Sequence, residues 1–160
     1  MEFELHGVKM NYEYGNVYRL YEYKKGYEWK ELKIQINPMG YKRIHFKVNK
    51  KRYAFLLHRL VYWLHNRDWD IMDSSNDNSI DHIDGDKLNN NIENLRVVTH
   101  QENQWNQTRA KGCYWNKREK KWKADIKLNS KTIYLGTFDN EIDAHNCYLE
   151  AKKKYHIIKS

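Results

Sequence analysis

Asp81-His82-Ile83-Asp84-Gly85-Asp86-Lys87-Leu88-Asn89-Asn90-Asn91-Ile92-Glu93-Asn94-Leu95-Arg96-Val97-Val98-Thr99 is the stretch on which the fold turns. Ser79 to Ile83 has the make-up of a short strand, and Leu95-Arg96-Val97-Val98 that of a second. Between them, Asp84 to Asn94 is rich in Asn, Asp and Gly, whose side chains or lack of one favour turns over extended structure, so the segment reads as a loop. Thr99 then offers a helix start. Its hydroxyl can cap backbone amides while Glu102, three residues on, reaches back in a reciprocal capping box, which predicts a helix from His100.

Upstream, Gly and Asn supply the punctuation, because Pro38 is the only proline. Glu31 to Ile36 alternates polar and apolar, as does Tyr41 to Val48, and Asn37-Pro38-Met39-Gly40 is the turn between them, which predicts a hairpin with one basic face. Asn49 to Arg52 predicts another turn, into Tyr53-Ala54-Phe55. From Leu56 the period changes: Leu57, Leu60, Val61 and Leu64 fall on one helical face, and a helix of about three turns is expected. Residues 66 to 79 are polar and acidic and read as a loop. Downstream, Trp122 to Leu128 alternates, Asn129-Ser130 is a turn and Lys131 to Gly136 returns. Ala144, Cys147, Tyr148, Ala151 and Tyr155 mark one face of a closing helix.

At 160 residues the chain holds one ordinary domain or a few very small ones. Mean hydropathy is -1.04, and no apolar run is long enough to span a bilayer. The opening MEFELHGVKM lacks the basic stretch and apolar core of a secretory leader, so a cytoplasmic location is expected. Cys113 and Cys147 form no Cys-x-x-Cys pair, which argues against a zinc ribbon or a disulfide framework; both are expected to be buried thiols. The net charge of +8 is unevenly spread. Residues 1–65 carry 13 Lys/Arg and 6 Asp/Glu, residues 66–108 carry 3 and 9, and residues 109–160 carry 13 and 6. Two basic arms flank an acidic centre. The arms attract a polyanion, whereas the centre repels phosphate unless a cation neutralises it.

Residues 81–99 resemble the signature of HNH endonucleases, in particular the homing endonucleases of phage introns and intergenic spaces. The resemblance implies that His82 is the general base that activates water and that Asp81 ligates a metal. It implies a second ligand on the following helix, Asn103, nine positions after Asn94, with Gln107 one turn further on the same face. Asn94 matches the family's middle asparagine, which bonds backbone across the loop and keeps the histidine oriented. The chemistry agrees on separate grounds. Phosphodiester hydrolysis needs a nucleophilic water, a base that titrates near neutrality, as imidazole does, and positive charge at the phosphate and leaving oxygen.

Many nucleases of this class carry histidines where this sequence has Asp81, Asn103 and Gln107. A carboxylate and an amide oxygen make an oxygen-only site, which favours Mg²⁺ or Mn²⁺ over Zn²⁺. Leu57-His58-Arg59-Leu60-Val61 also resembles a segment that precedes the core in homing enzymes; His58 is expected to pack rather than to catalyse. A lone His-Asp pair is ordinarily a turn or a surface hydrogen bond. Here strand, loop, strand and capped helix follow in order with every marker in register, which favours the nuclease.

Lys111 to Arg118, Trp122 to Ile126, Ile133 to Asp139 and Asp143-Ala144 resemble the ethylene-response-factor (APETALA-type) DNA-binding domain over nearly all of residues 111–156. That resemblance implies a three-stranded sheet laid in the major groove with a helix on its other face. By alternation Trp122, Ala124, Ile126 and Leu128 share one face, assigned to the core. Lys123 and Lys127 are left for DNA, with Tyr114, Asn116, Arg118, Lys131 and Tyr134 as further candidates. Trp115 is a candidate contact as well, because the family uses some tryptophans on its DNA face.

The expected architecture is α+β: an N-terminal β-hairpin region and helix, a ββα-metal core, and a C-terminal three-stranded sheet packed on one helix. The expected divisions are a basic N-terminal β region over 1–55, an HNH nuclease core over 56–109 and a DNA-binding domain over 110–160. Double-stranded DNA is the expected partner and Mg²⁺ or Mn²⁺ the expected cofactor. Lys42, Arg43, Lys47 and Arg52, with Lys50 and Lys51, are expected to grip the DNA backbone. A mobile-element endonuclease, a restriction-type enzyme of the same fold and a DNA-binding regulator with an inactive core all remain open, as do monomer and homodimer.

Overall fold

The structure, a computed structural model, describes residues 1–105 and 111–158. It is a mixed α+β chain whose described residues form four small sheets and three α-helices. The chain divides into two compact units, Met1–Ser75 with Ile80–Val97, and Asn76–Ser79 with Val98–Ser160.

The first unit begins with an antiparallel meander in which Glu2–Leu5 (β1), Val8–Glu13 (β2), Asn16–Tyr23 (β3) and Gly26–Glu31 (β4) lie in sequence order. Two-residue loops join the first three strands, His6-Gly7 and Tyr14-Gly15, all four residues with positive φ. Positive φ at both central positions matches the right-handed twist of the flanking strands. A second sheet follows, made of Ile34–Ile36 (β5), Lys42–Val48 (β6) and Lys51–Leu56 (β7). The continuous strand expected over residues 31–36 is broken: β4 ends at Glu31, and Leu32 is buried with its N–H donated to the Val17 carbonyl at 2.7 Å. The chain crosses there from one sheet to the next. The turn expected over Asn49–Arg52 contracts to Asn49-Lys50, because these two residues alone take positive φ and β7 pairs from Lys51 onward.

Leu57–His65 (α1) buries Leu57, Leu60, Val61 and Leu64, the stripe that the period predicted, and also His58. These side chains join Met10, Val17, Ile44 and Phe46 in one core. Each fully buried Leu or Ile contributes about 1.5–3 kcal/mol relative to exposure. Arg59, on the flank of α1, holds the acidic loop that follows. Its Nη2 donates to the carbonyls of Ile71 (3.0 Å) and Asp73 (2.6 Å), and its guanidinium lies 4.6 Å from the Trp69 ring centroid. Ser79–His82 (β8) and Leu95–Val98 (β9) pair as a two-stranded sheet.

In the second unit, His100–Trp105 (α2) opens with the expected capping box. The Glu102 amide donates to Thr99 Oγ1 (3.2 Å), and the Thr99 amide donates to Glu102 Oε2 (2.8 Å). Cys113–Asn116 (β10), Lys121–Leu128 (β11) and Lys131–Phe138 (β12) form an antiparallel sheet in that order, and Glu141–Tyr155 (α3) packs against all three strands. The Asn140 side chain caps α3 by accepting from the Asp143 amide at 2.8 Å. Ile126, Tyr148 and Ala151 form the small core, with Ile133, Leu135 and Tyr155 around it. Cys113 and Cys147 are free and only half-buried, not fully buried as expected, since this thin sheet-on-helix layer leaves its margins open. No described helix is long and apolar enough to cross a membrane.

Candidate functional site

The loop between β8 and β9 is a lattice of side-chain hydrogen bonds, and Asn94 is its centre. Asn94 Nδ2 donates to Asp84 Oδ1 and to the Asn89 carbonyl, both at 2.9 Å, while its Oδ1 accepts from the Asp84 amide at 3.0 Å. Its own carbonyl accepts from the Ile83 amide at 2.9 Å. Asp84 also accepts from Asn89 Nδ2 (2.8 Å) and from the Asp86 amide (2.8 Å). The bond from Asn89, then those from Asn94 and from the Asp86 backbone, hold the Asp84 carboxyl below the usual carboxylate range. An asparagine-rich loop thereby acquires a fixed shape without a core of its own.

That loop positions His82. Asn90 Oδ1 lies 2.9 Å from His82 Nε2. A carbonyl oxygen only accepts, so Nε2 carries the hydrogen and Nδ1 the lone pair. Two further rings wall the imidazole: His58 from α1, with centroids 5.0 Å apart and edge-on at 68°, and Tyr41, 5.9 Å away and inclined at 26°. His58 and Tyr41 are themselves 5.0 Å apart. Lys87 closes the outer side, with its Nζ 4.9 Å from the Tyr41 ring and donating to the Met39 carbonyl at 2.9 Å.

Asp81 and His82 are both buried, at 6% and 4% exposure. Asp81 Oδ2 accepts from Nε (3.0 Å) and Nη2 (2.9 Å) of Arg96, on β9. An anionic oxygen donor of this kind fits a hard cation such as Mg²⁺, which keeps several waters and takes one or two carboxylates. Among the described residues no three His, Cys, Asp or Glu side chains gather into a metal cluster. Of the other expected site residues, Asn94 joins Asp81 and His82 in the first unit, whereas Asn103 lies half-buried on α2 in the second. Gln107 lies outside the described residues. Tyr41, Asn90 and Arg96 were not foreseen. Arg96 alone had a signal, since a cation inside the second strand of the motif invites pairing with a carboxylate of the first.

Burial comes first among the forces on His58, followed by electrostatic interaction with His82 and with Arg59, and its pKa falls to about 3. The unfolded chain, with an ordinary imidazole near 6.5, binds the proton that the folded chain refuses between those values. Stability is therefore unaffected above pH 6.5 and falls as the pH drops toward 3, by up to about 1.4 kcal/mol per unit. At pH 5 the expected loss from this residue is roughly 2 kcal/mol relative to pH 7. Urea unfolding at the two pH values should show it in the unmodified chain and show a smaller drop in His58→Phe. Equal drops would mean that His58 protonates freely in the folded state.

In the basic hairpin the expected DNA contacts fall on two faces. Arg43, Lys47 and Arg52 share the outer face, Lys47 and Arg52 being cross-strand partners, while Lys42 alternates to the other face. In the second unit, register puts Tyr114, Asn116, Lys123, Lys127 and Tyr134 on the side of the sheet away from α3. Lys123 pairs with Glu119 at 3.0 Å and lies 5.8 Å from the Tyr134 ring, which is 57% exposed. Trp115 pairs with Trp122 across the strands, ring centroids 5.5 Å apart, and so belongs to the helix side with Cys113 and Ala124. Lys131, opposite Leu128, begins β12 at the hairpin, and Arg118 lies in the turn between β10 and β11.

Residues 55–105 match the family model described as HNH endonuclease. Among curated proteins, the chain is similar to YosQ of Bacillus subtilis (strain 168), described as a candidate SPbeta prophage-derived HNH homing endonuclease. The two are 40% identical over 75 residues, which is 46% of this chain and 40% of that protein. Protein 3.8 of Escherichia phage T7 is 36% identical over 59 residues, 32% of this chain and 49% of that protein. The chain thus spans less than half the length of either relative. Among solved structures, the HNH homing endonuclease I-HmuI, described in terms of DNA binding and cleavage, shares 35% identity with a TM-score of 0.43, covering 62% of this chain and 51% of that one.

Proposed function

We propose that this chain is a site-specific DNA endonuclease of the HNH type, of the mobile-element kind, that hydrolyses phosphodiester bonds with His82 as general base. The single observation that carries this reading is the built setting of His82. Asn90 Oδ1 accepts a hydrogen bond from Nε2, Tyr41 and His58 hold the ring, and the Asn94 lattice holds the loop that bears Asn90. Nδ1 then accepts a proton from water, the hydroxide attacks phosphorus, and the bond from phosphorus to the 3′ oxygen breaks. Asp81 and Asn103 are the residues that would hold Mg²⁺ or Mn²⁺, which when bound supplies positive charge to the phosphate and leaving oxygen. Arg96 holds the Asp81 carboxylate in a fixed orientation through two hydrogen bonds.

The proposed division of labour is a basic β region over 1–55, the nuclease core over 56–109 and an ethylene-response-factor-type DNA-binding domain over 110–160. A sheet with a basic, tyrosine-bearing face and a helix behind it supports the last assignment, because such a face reaches base edges while lysines neutralise phosphates. Removing Lys123 and Lys127 together is expected to weaken duplex binding and to flatten the slope of log K against log salt by about two. An unchanged slope in fluorescence anisotropy would remove this face from the interface.

A DNA-binding regulator with a silent core has one observation in its favour: His82 is 4% exposed and Asp81 is already paired with Arg96. Incubation of the full chain with plasmid and Mg²⁺ or Mn²⁺ separates the two. Metal-dependent nicking or linearisation supports the enzyme. Binding without cleavage at any metal concentration supports the regulator.

A further inference from the structure

The positive charge of the N-terminal arm is more sharply placed than its total suggests. Residues 1–31 carry five Lys/Arg and six Asp/Glu, whereas residues 32–65 carry eight Lys/Arg and no acidic residue. The first meander is therefore close to neutral, and the basic arm is the second sheet with α1. On that sheet the even positions of β6, Ile44 and Phe46, enter the core, so the odd ones, Arg43, His45 and Lys47, face outward. Same-face residues of a strand recur about every 7 Å. Across from them on β7 stand Leu56, Ala54 and Arg52, in register with Arg43, His45 and Lys47. The middle of the strip is thus an imidazole opposite an exposed methyl group, with guanidinium and ammonium groups at its ends.

The polar atoms in this strip are unusually short of partners. Arg43 Nε and both ring nitrogens of His45 are covered yet make no hydrogen bond. Covered polar atoms without partners are rare in folded proteins, because each costs about 1–3 kcal/mol. Three of them among like charges form a set that a phosphate completes once the side chains covering them draw aside. The strip also has a direction. Tyr41, one further two-residue step before Arg43, is the residue whose ring packs at 5.9 Å on His82.

We propose that Arg43, His45, Lys47 and Arg52 form one phosphate-binding strip that leads a nucleic acid strand toward His82, with His45 as the member that takes up a proton from solvent when the strand binds. The inference rests on the reading of the chain as a DNA-cleaving protein and deepens it by naming the residue that links grip to pH. The charges facing His45 are Arg43 and Lys47 on its own strand and Arg52 on β7; Arg19 of β3 reaches the same strand end by donating from Nη1 to the Lys47 carbonyl at 2.7 Å. Burial first, then Arg52 and Arg43, hold the imidazole below its ordinary range in the free protein. Phosphates reverse the sign of that field, and the same ring then gains from being charged.

The test is duplex affinity of the full chain, measured by anisotropy in EDTA at fixed salt between pH 7.5 and 5.5. One linked proton tightens binding by at most about tenfold per pH unit. The unmodified chain is expected to gain at least about threefold more over this range than His45→Gln, which keeps a polar side chain but cannot be charged. His45→Arg, with a fixed charge, is expected to bind tightly at pH 7.5 with the shallow pH dependence of His45→Gln. Identical pH slopes in the unmodified chain and both variants overturn the role of His45 while leaving DNA binding intact. Failure of the unmodified chain to bind duplex at any pH overturns the strip and the nuclease reading together. A pH dependence that His45→Gln removes for an acidic peptide but leaves intact for duplex would assign the strip to a protein partner and overturn the proposal.

Discussion

Replacing His82 with alanine is expected to lower the rate of metal-dependent plasmid cleavage by about 10²- to 10⁴-fold while duplex affinity changes by less than about twofold. The asymmetry follows from where the ring sits. At 4% exposure His82 offers little surface to a bound duplex, so its removal costs little binding. On the proposed reading its Nδ1 lone pair, on the ring nitrogen that does not bond Asn90, would remove the proton from water. Single-turnover cleavage beside anisotropy on the same preparation separates the two terms. Equal loss of affinity and rate would mean that His82 binds rather than catalyses, and an unchanged rate would remove it from the chemistry. The variant leaves a space between Tyr41 and His58, so a melting curve should accompany the assay.

The second large effect is expected far from the chemistry. Gly112 has φ of +64°, and a Cβ built on it would lie 1.9–2.4 Å from three atoms of the Tyr148 ring. Tyr148 is 6% exposed and belongs to the small core between α3 and the sheet, so its ring has little room to retreat. A left-handed backbone costs a non-glycine residue about 1–2 kcal/mol, and overpacking a further 1–3 kcal/mol. Gly112→Ala should therefore destabilise the second unit by roughly 2–5 kcal/mol, a large share of what so small a core supplies. Urea unfolding followed by tryptophan fluorescence measures it. Adding Tyr148→Ala removes the clash, so the double variant should lose less than the sum of the single losses. Strict additivity would show that Gly112 and the ring do not meet.

The elements that the sequence made legible are those written in neighbouring residues. The capping box needs only Thr99 and Glu102, three apart, and it forms with both hydrogen bonds. The α1 stripe needs one period over eight residues, and all four of its apolar members are buried. The backbone bonds of Asn94 to Asp84 and Asn89 close within ten residues. Where the local signal was ambiguous, tertiary structure overrode it. Glu31 to Ile36 alternates like one strand, yet Leu32 is drawn to the Val17 carbonyl, fifteen residues away, and splits it.

By itself the chain determined the α1 stripe, the capped start of α2, the alternating strands of the C-terminal sheet and the placing of Asp81 beside His82 on one short strand, because hydrogen bonds and periodicity act over a few residues. Tertiary structure alone decided that Tyr41 and His58 would flank His82 and that a ring 36 residues away would forbid a side chain at Gly112. Contacts of that kind depend on which faces are buried together, and that choice belongs to the whole core rather than to any local run of residues.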